Sequence, residues 1–283
     1  MKPWEVAFER IVEFGRAPTR EKYLAQFGPD ATLRHPGMVA PVGLAGIAAF
    51  IDASLARWTG YRLAPVFWAA SGDTLFVETI NSAELSGKNL SWPSTQAINL
   101  RGDHIVRGQS FYDRGEVFAQ LDPAPVASAN AHVSLLNGAA PRGGSADDDR
   151  EATQAIYESF VLPYAQNWTQ PDPQRFKDFY AADARMIGPE FEHPIGRGDL
   201  ADFYAAHIAA HPGVQRRLET WATAKDVLFL QWTATHDVGG VMLELPVVDR
   251  FLLQGGRAVE AVAYYDLMDL AELRKAAQTL EPA

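Results

Sequence analysis

The sequence predicts an α+β protein made of two tandem copies of one unit, each a cone-shaped α+β barrel in which a curved antiparallel sheet wraps helices. Three observations carry that prediction. First, the chain repeats itself: at an offset of 153, with no gap, 24 of the 101 pairs between residues 18–118 and 171–271 are identical, where chance in such a composition gives roughly seven or eight. Second, each copy opens with apolar residues recurring at helical steps. Third, each then switches to β-rich runs punctuated by Gly- and Asp-containing turns. Helices followed by a meander is the order of an α+β domain, not of alternating βαβ units. Two copies are too few for a solenoid, so each needs its own core.

The elements follow in order. "PWEVAFERIVEFG" places Trp4, Phe8, Ile11 and Val12 on one helical face, giving a first helix near 4–14 and its repeat near 150–167. A shorter helix is expected near 19–27 and 173–181, then a strand carrying "DATLRHPG" (30–37) or "DARMIGPE" (183–190). A third helix follows Gly43 or Gly196, with Ile47, Phe50, Ile51 and Leu55 at three- and four-residue steps. "RLAPVFWAA", "DTLFVETINSAEL", "SWPSTQAINL" and "HIVRGQSFY" read as four strands, joined through Ser71-Gly72-Asp73 and Arg101-Gly102-Asp103. Asp113 and Asp266 each open a closing helix with an acidic residue three positions on, a helix-capping arrangement. Residues 123–148, rich in Ala, Pro, Gly, Ser and Asp, read as a linker between domains 1–122 and 149–283.

Composition narrows the function. A chain of 283 residues, 47% hydrophobic and 21% charged, can bury sizeable cores, and its formal charge of −10 disfavours nucleic acid as a partner. Without cysteine there are no disulfides, thiolate metal sites or Cys nucleophile. The first residues read as an amphipathic helix rather than a signal peptide, and no apolar run reaches membrane-spanning length; the expected location is cytoplasmic, with no membrane partner. His207 and His211 are four apart on one helix but lack a third ligand, so no metal site is expected, and His211 before Pro212-Gly213 reads as a helix C-terminus. There is no Gly-rich phosphate loop and no serine nucleophile elbow.

"YAADARMIGP", "FGPDATLRHPG", the Gly before the third helix, the "GDTLF" hairpin and the closing "IVRGQSFYD" resemble the SnoaL-like polyketide cyclases and ketosteroid isomerases of the nuclear-transport-factor-2-like superfamily. The resemblance covers nearly all of both halves. It implies a conical barrel with an apolar pocket, no cofactor, and pairing through the outer sheet face, here as an internal pseudo-dimer that can associate further into a homo-oligomer.

The resemblance also supplies candidate roles. His35 falls where ketosteroid isomerases carry their base, and an imidazole with an ordinary pKa near ~6.5 can accept a proton at neutral pH; the alternative is a hydrogen-bonded strand histidine. In the second copy that position is Gly188, while Tyr164, 24 residues earlier, and Asp249 match the oxyanion-hole tyrosine and acid. Tyr164 reads equally as a core aromatic. The first copy has Ile11 and Gln96 at those two places, so neither half holds the full trio. His193 is a substitute base for the second copy, with Glu190 and Glu192 beside it. Asp249 and Arg250 point to opposite faces of a strand, so they are not expected to pair. An epoxide-hydrolase-like charged triad is missing: its positions read Thr79, Asn81 and Ser110 in one copy and Trp232, Ala234 and Ala263 in the other. Small polar groups (Thr79, Asn81, Gln96, Ser110, Tyr112) are therefore expected to contact substrate in the first pocket, and apolar ones including Trp232 in the second. These readings converge on a cofactor-independent isomerase, cyclase or lyase abstracting a proton from a small hydrophobic, carbonyl-bearing or aromatic molecule. The rival reading is a non-catalytic ligand-binding or scaffold module.

Overall fold

The computed structural model describes residues 1–38, 40–121, 141–211, 213–238 and 241–278. In the first domain, α1 (Pro3–Arg16) starts on Pro3, with Glu5 accepting from the Lys2 backbone N–H, and buries Trp4, Ala7, Ile11 and Phe14. α2 (Arg20–Leu24) is capped by Thr19. β1 (Phe27–Arg34), α3 (Leu44–Arg57), β2 (Thr59–Ser71), β3 (Thr74–Leu85), β4 (Lys88–Arg101), β5 (His104–Phe111) and α4 (Arg114–Ala119) complete it.

The second domain repeats the plan. Its first helix, α5, runs as Arg150–Ile156, a π-helical turn Tyr157–Val161, and Leu162–Thr169. Then come α6 (Pro173–Phe176), β7 (Tyr180–Ile187), the two-residue β8 (Ile195–Gly196), α7 (Arg197–Ala210), β9 (Gln215–Ala224), β10 (Val227–Val238), β11 (Val241–Gln254), β12 (Arg257–Tyr264) and α8 (Leu267–Gln278). Among the described residues no helix is long and apolar enough to cross a membrane.

Each domain has one open, curved six-stranded sheet rather than a closed barrel, in the orders β1-β5-β4-β3-β2-β6, with β6 at Arg142–Ser145, and β8-β7-β12-β11-β10-β9. The long hairpins are antiparallel, as alternation and turn signals require, while β1 joins β5 and β7 joins β12 in parallel. The concave face holds the helices in both domains.

β6 (Arg142–Ser145) corrects the linker reading at its far end. It pairs in parallel with β2, and a 3-10 turn over Ala146–Asp148 follows. "RGGS" has no β-branched or aromatic signal, so the sequence pattern misses it. The strand fits because Gly143 lies against Trp68, where a Cβ would come within 2.2 Å of the Trp68 carbonyl oxygen. Residues 123–140 of the expected linker lie outside the described residues.

The convex faces of the two sheets pack on each other. Val66, Phe67, Phe76 and Ile80 from one domain share a buried cluster with Ala222, Phe229, Val248 and Tyr264 from the other. Phe76 and Phe229, which are repeat mates, stack at 5.4 Å with their planes 1° apart, which marks a local two-fold relation. A charged group crosses the same seam. Arg250 Nε donates to Glu78 at 2.8 Å and Nη1 to Glu260 at 2.6 Å, Tyr264 donates to Glu78, and neither Arg250 nor Glu78 is exposed at all. Arg250 thus faces away from Asp249, as strand alternation requires.

Candidate functional site

The concave face of the first sheet and α1–α3 enclose a cavity of about 100 Å³, room for several waters or an organic group at the ~10–15 Å³ that each water centre needs. Its walls are aromatic: Phe14, Tyr23, Phe50, Trp58 and Trp92 line it, with the Trp58 and Trp92 rings 5.3 Å apart. Alternation along the strands turns a set of polar side chains inward on its floor. Ser94 and Gln96 come from β4, Asn81 from β3, Ser110 from β5 and Tyr61 from β2. Among the residues lining the cavity none is Asp, Glu, Lys or Arg.

His35 stands one residue beyond β1, at the start of the turn His35-Pro36-Gly37-Met38. The Met38 N–H donates to the His35 carbonyl at 3.0 Å, Pro36 takes the second position, and Gly37 takes the third with φ +83°, the left-handed conformation such a turn needs. The His35 ring lies 4.3 Å from Phe50, and its Nε2 is 3.3 Å from Ser110 Oγ. Its Nδ1 is buried without a hydrogen-bond partner. Burial pushes the imidazole down to about 4, so it is neutral at pH 7. Nε2 donates to Ser110 or accepts from it according to the tautomer, and Nδ1 has no partner in either case.

The other polar groups form a connected set. Tyr61 donates to Asn81 Oδ1 at 2.7 Å, Asn81 Nδ2 donates to Ser94 Oγ at 2.8 Å, and Ser94 meets Thr79 Oγ1 at 2.9 Å. Burial pushes the Tyr112 hydroxyl up to about 12, which keeps it a donor. Asn81, Gln96, Ser110 and Tyr112 thus border the cavity. Thr79 stands behind Ser94 and Asn81, fully buried, and supports them.

The equivalent space in the second domain is nearly filled, leaving about 10 Å³ beside Glu190, His207, Arg216 and Tyr265. Ile11, Ile51 and Ile98 are replaced at their repeat positions by Tyr164, Tyr204 and Phe251, all buried. Phe176 stacks on Tyr204 at 3.8 Å, and Tyr164 packs against Phe251 at 5.4 Å and Trp232 at 6.0 Å. The second pocket expected from the resemblance is therefore an aromatic core. Tyr164 spends its hydroxyl on Tyr204, 3.3 Å away, and Trp232 is a fully buried core residue. A side chain at Gly188 would meet the Phe191 ring at 3.3 Å.

Asp249 is buried and takes a hydrogen bond from Arg216 Nη1 at 3.2 Å, while the Arg216 guanidinium lies 4.1 Å from the Trp168 ring. Burial, opposed by Arg216, leaves the Asp249 carboxyl above its ordinary range. Arg216 was missed by sequence reasoning, although a signal exists: the repeat mates of Arg216 and Asp249 are Leu63 and Gln96, so both members of the pair changed together. His193 is exposed on a loop and borders a small space of about 20 Å³ at the seam, with Asp113 and Glu116, apart from Tyr164 and Asp249. His207 pairs with Glu190 at 3.4 Å, and among the described residues no group of side chains forms a metal site. Also missed were the cavity aromatics Tyr23, Trp58 and Trp92, since ring size alone does not tell a wall from a filling.

A curved sheet closed by helices over an apolar hollow, doubled in tandem, defines a cup and its pseudo-symmetric mate. The chain belongs to the SnoaL-like domain family: residues 8–108 and 161–261 each match that domain, at the same 153-residue offset as the internal repeat. No curated protein matches the chain. Among solved structures it is similar to a putative SnoaL-like polyketide cyclase from Jannaschia sp. CCS1, at 17% identity over 44% of this chain and 93% of that one, with a TM-score of 0.39. It is likewise similar to IdmH, a putative polyketide cyclase from Streptomyces antibioticus, at 17% identity over 43% of this chain and 99% of that one (TM-score 0.38). A third is a hypothetical protein of ketosteroid-isomerase-like fold from Catenulispora acidiphila DSM 44928, in complex with trimethylamine, at 17% identity over 40% and 90% (TM-score 0.38).

Proposed function

We propose that the first domain is a cofactor-independent acid–base site for a small, uncharged, largely apolar molecule bearing a carbonyl or an aromatic ring, and that the second domain is its structural mate. The observation carrying this reading is the His35 imidazole in the wall of a cavity lined without a single formal charge. A charged ligand there would lose its hydration with no counter-charge to replace it. The His35 imidazole takes the proton from carbon beside the ligand carbonyl, and the oxygen that gains charge is met by neutral donors from the set Gln96, Tyr112 and Asn81. Proton abstraction of this kind serves isomerisation, cyclisation, dehydration or retro-aldol cleavage.

The test is a thermal-shift screen of neutral hydrophobic carbonyl and aromatic compounds on the whole protein, followed by proton–deuterium exchange on each hit. A ligand at 100 times its Kd raises stability by about 2.7 kcal/mol. Ile98→Phe, which installs the second domain's residue, should abolish the shift, and His35→Gln should keep binding but lose exchange. Hits that neither exchange nor turn over would replace this reading with a non-catalytic binding module, which the incomplete trio (Ile11 and Gln96 in place of Tyr164 and Asp249) favours.

A further inference from the structure

The turn that carries His35 is held by the other domain. The Gly37 N–H donates to Asp269 Oδ1 at 3.0 Å, from the first turn of α8. Asp269 is itself fixed by Arg114 of α4, whose Nη2 lies 2.7 Å from the same oxygen and whose Nε engages Asp266. The guanidinium packs against the turn, where a Cβ on Gly37 would come within 2.3 Å of Nη1. The two closing helices also cap each other: Arg114 N–H donates to Asp266 at 3.3 Å, and Leu267 N–H to Asp113 at 3.2 Å. His35, Ser110 and Gln109 border the cavity on one side and, on the other, a small seam space of about 10 Å³ with Tyr265, Asp266 and Asp269.

This clamp works in one direction. Glu116, the repeat mate of Asp269, faces Gly188 and Pro189 across a space of about 20 Å³; the turn there has Gly188 in place of the histidine, and the nearby His193 is exposed. The side of the seam that is tightly closed is the side where an ionisable ring needs a fixed position.

We infer that Asp269, held by Arg114, is a positioning residue for His35, so that the second domain completes the first domain's site although its own hollow is nearly filled. The inference rests on His35 being the working group of that site. A backbone N–H pinned two residues from His35, in a turn already fixed by Pro36 and by the His35–Met38 hydrogen bond, sets where the imidazole sits against Phe50 and Ser110.

The experiment uses the full chain with isotope-labelled histidine, the His35 signal being assigned by its loss in His35→Gln. Asp269→Ala should displace the His35 ring resonances and raise its titration midpoint from about 4 toward 6.5 as water reaches the ring. Asp269→Asn, which keeps an acceptor for Gly37, should restore most of the wild-type signal. Asp226→Ala, which removes a different ion pair, Arg142 with Asp226 at 3.0 Å, should leave His35 unchanged. Gly37→Ala, approaching the clamp from the turn side, should reproduce the Asp269→Ala shift if that variant does not fold. Unchanged His35 signals in Asp269→Ala, or in Gly37→Ala, would overturn the inference, as would an equal shift in Asp226→Ala. Should Asp269→Ala move His35 while His35→Gln retains full exchange activity on a screened ligand, the clamp stands and the role given to His35 falls.

Discussion

His35 couples the candidate site to pH through its burial. A ring that titrates near 4 in the fold and near 6.5 in the open chain binds fewer protons folded than unfolded between those values. Stability therefore falls as pH drops from about 6.5 to 4, by roughly 3 kcal/mol in all from this group. Urea unfolding at pH 7 and pH 4.5 should show a smaller pH-dependent loss in His35→Gln than in the wild type. The Arg216–Asp249 pair gives a second test at this scale. Arg216→Leu strands a buried carboxyl and should cost on the order of 3–5 kcal/mol. Adding Asp249→Gln, which recreates the Leu63 and Gln96 combination, should recover most of it in a double-mutant cycle. In the sequence His35 stands out through its match to the base position of the resembling family, with a hydrogen-bonded strand histidine as the equal alternative, because alternation alone does not say whether Arg34 or His35 turns inward. Sequence reasoning did not find Arg216, because a strand arginine reads as solvated until its neighbours are known.

At the scale of elements, the closing helices carry the sharpest electrostatic consequence. Asp113 caps α4 through the N–H groups of Gly115 and Glu116. Burial, followed by the neighbouring Asp266 carboxyl, pushes it up to about 6. A carboxyl that holds its proton more tightly folded than unfolded stabilises the fold at low pH, and that contribution is lost as pH rises through the interval from 3.8 to about 6. Asp113→Asn keeps a capping oxygen and removes the charge. Its melting temperature should exceed the wild type's at pH 8 and match it near pH 4. Helices, hairpins and caps were readable from periodicity and turn residues, because those signals are local. β6 and the π-helical turn in α5 were not, because each is imposed by what packs beside it: Gly143 on Trp68, and Phe160 with Val161 pressed into the aromatic core.

Across the whole molecule, the shared apolar seam and the buried Glu78–Arg250 pair join the two domains, which are therefore expected to unfold together. Calorimetry should show a single transition with matching calorimetric and van't Hoff enthalpies. Glu78→Leu, which leaves the Arg250 charge in the seam with only Glu260, should lower stability by about 3 kcal/mol and split the transition in two. The repeat made the doubled plan legible, yet it said nothing of which hollow stays open, since that depends on three isoleucines against two tyrosines and a phenylalanine, all equally hydrophobic in pattern.

The stacked Phe76 and Phe229 show what a covalent tandem permits. In an assembly of two identical subunits every replacement appears twice, so a bulky ring entering one interior must enter the other, and a lone arginine at the contact meets its own copy. One polypeptide carrying both halves is free of that rule. It retains two-fold pairing where the axis passes and lets each interior drift toward its own composition.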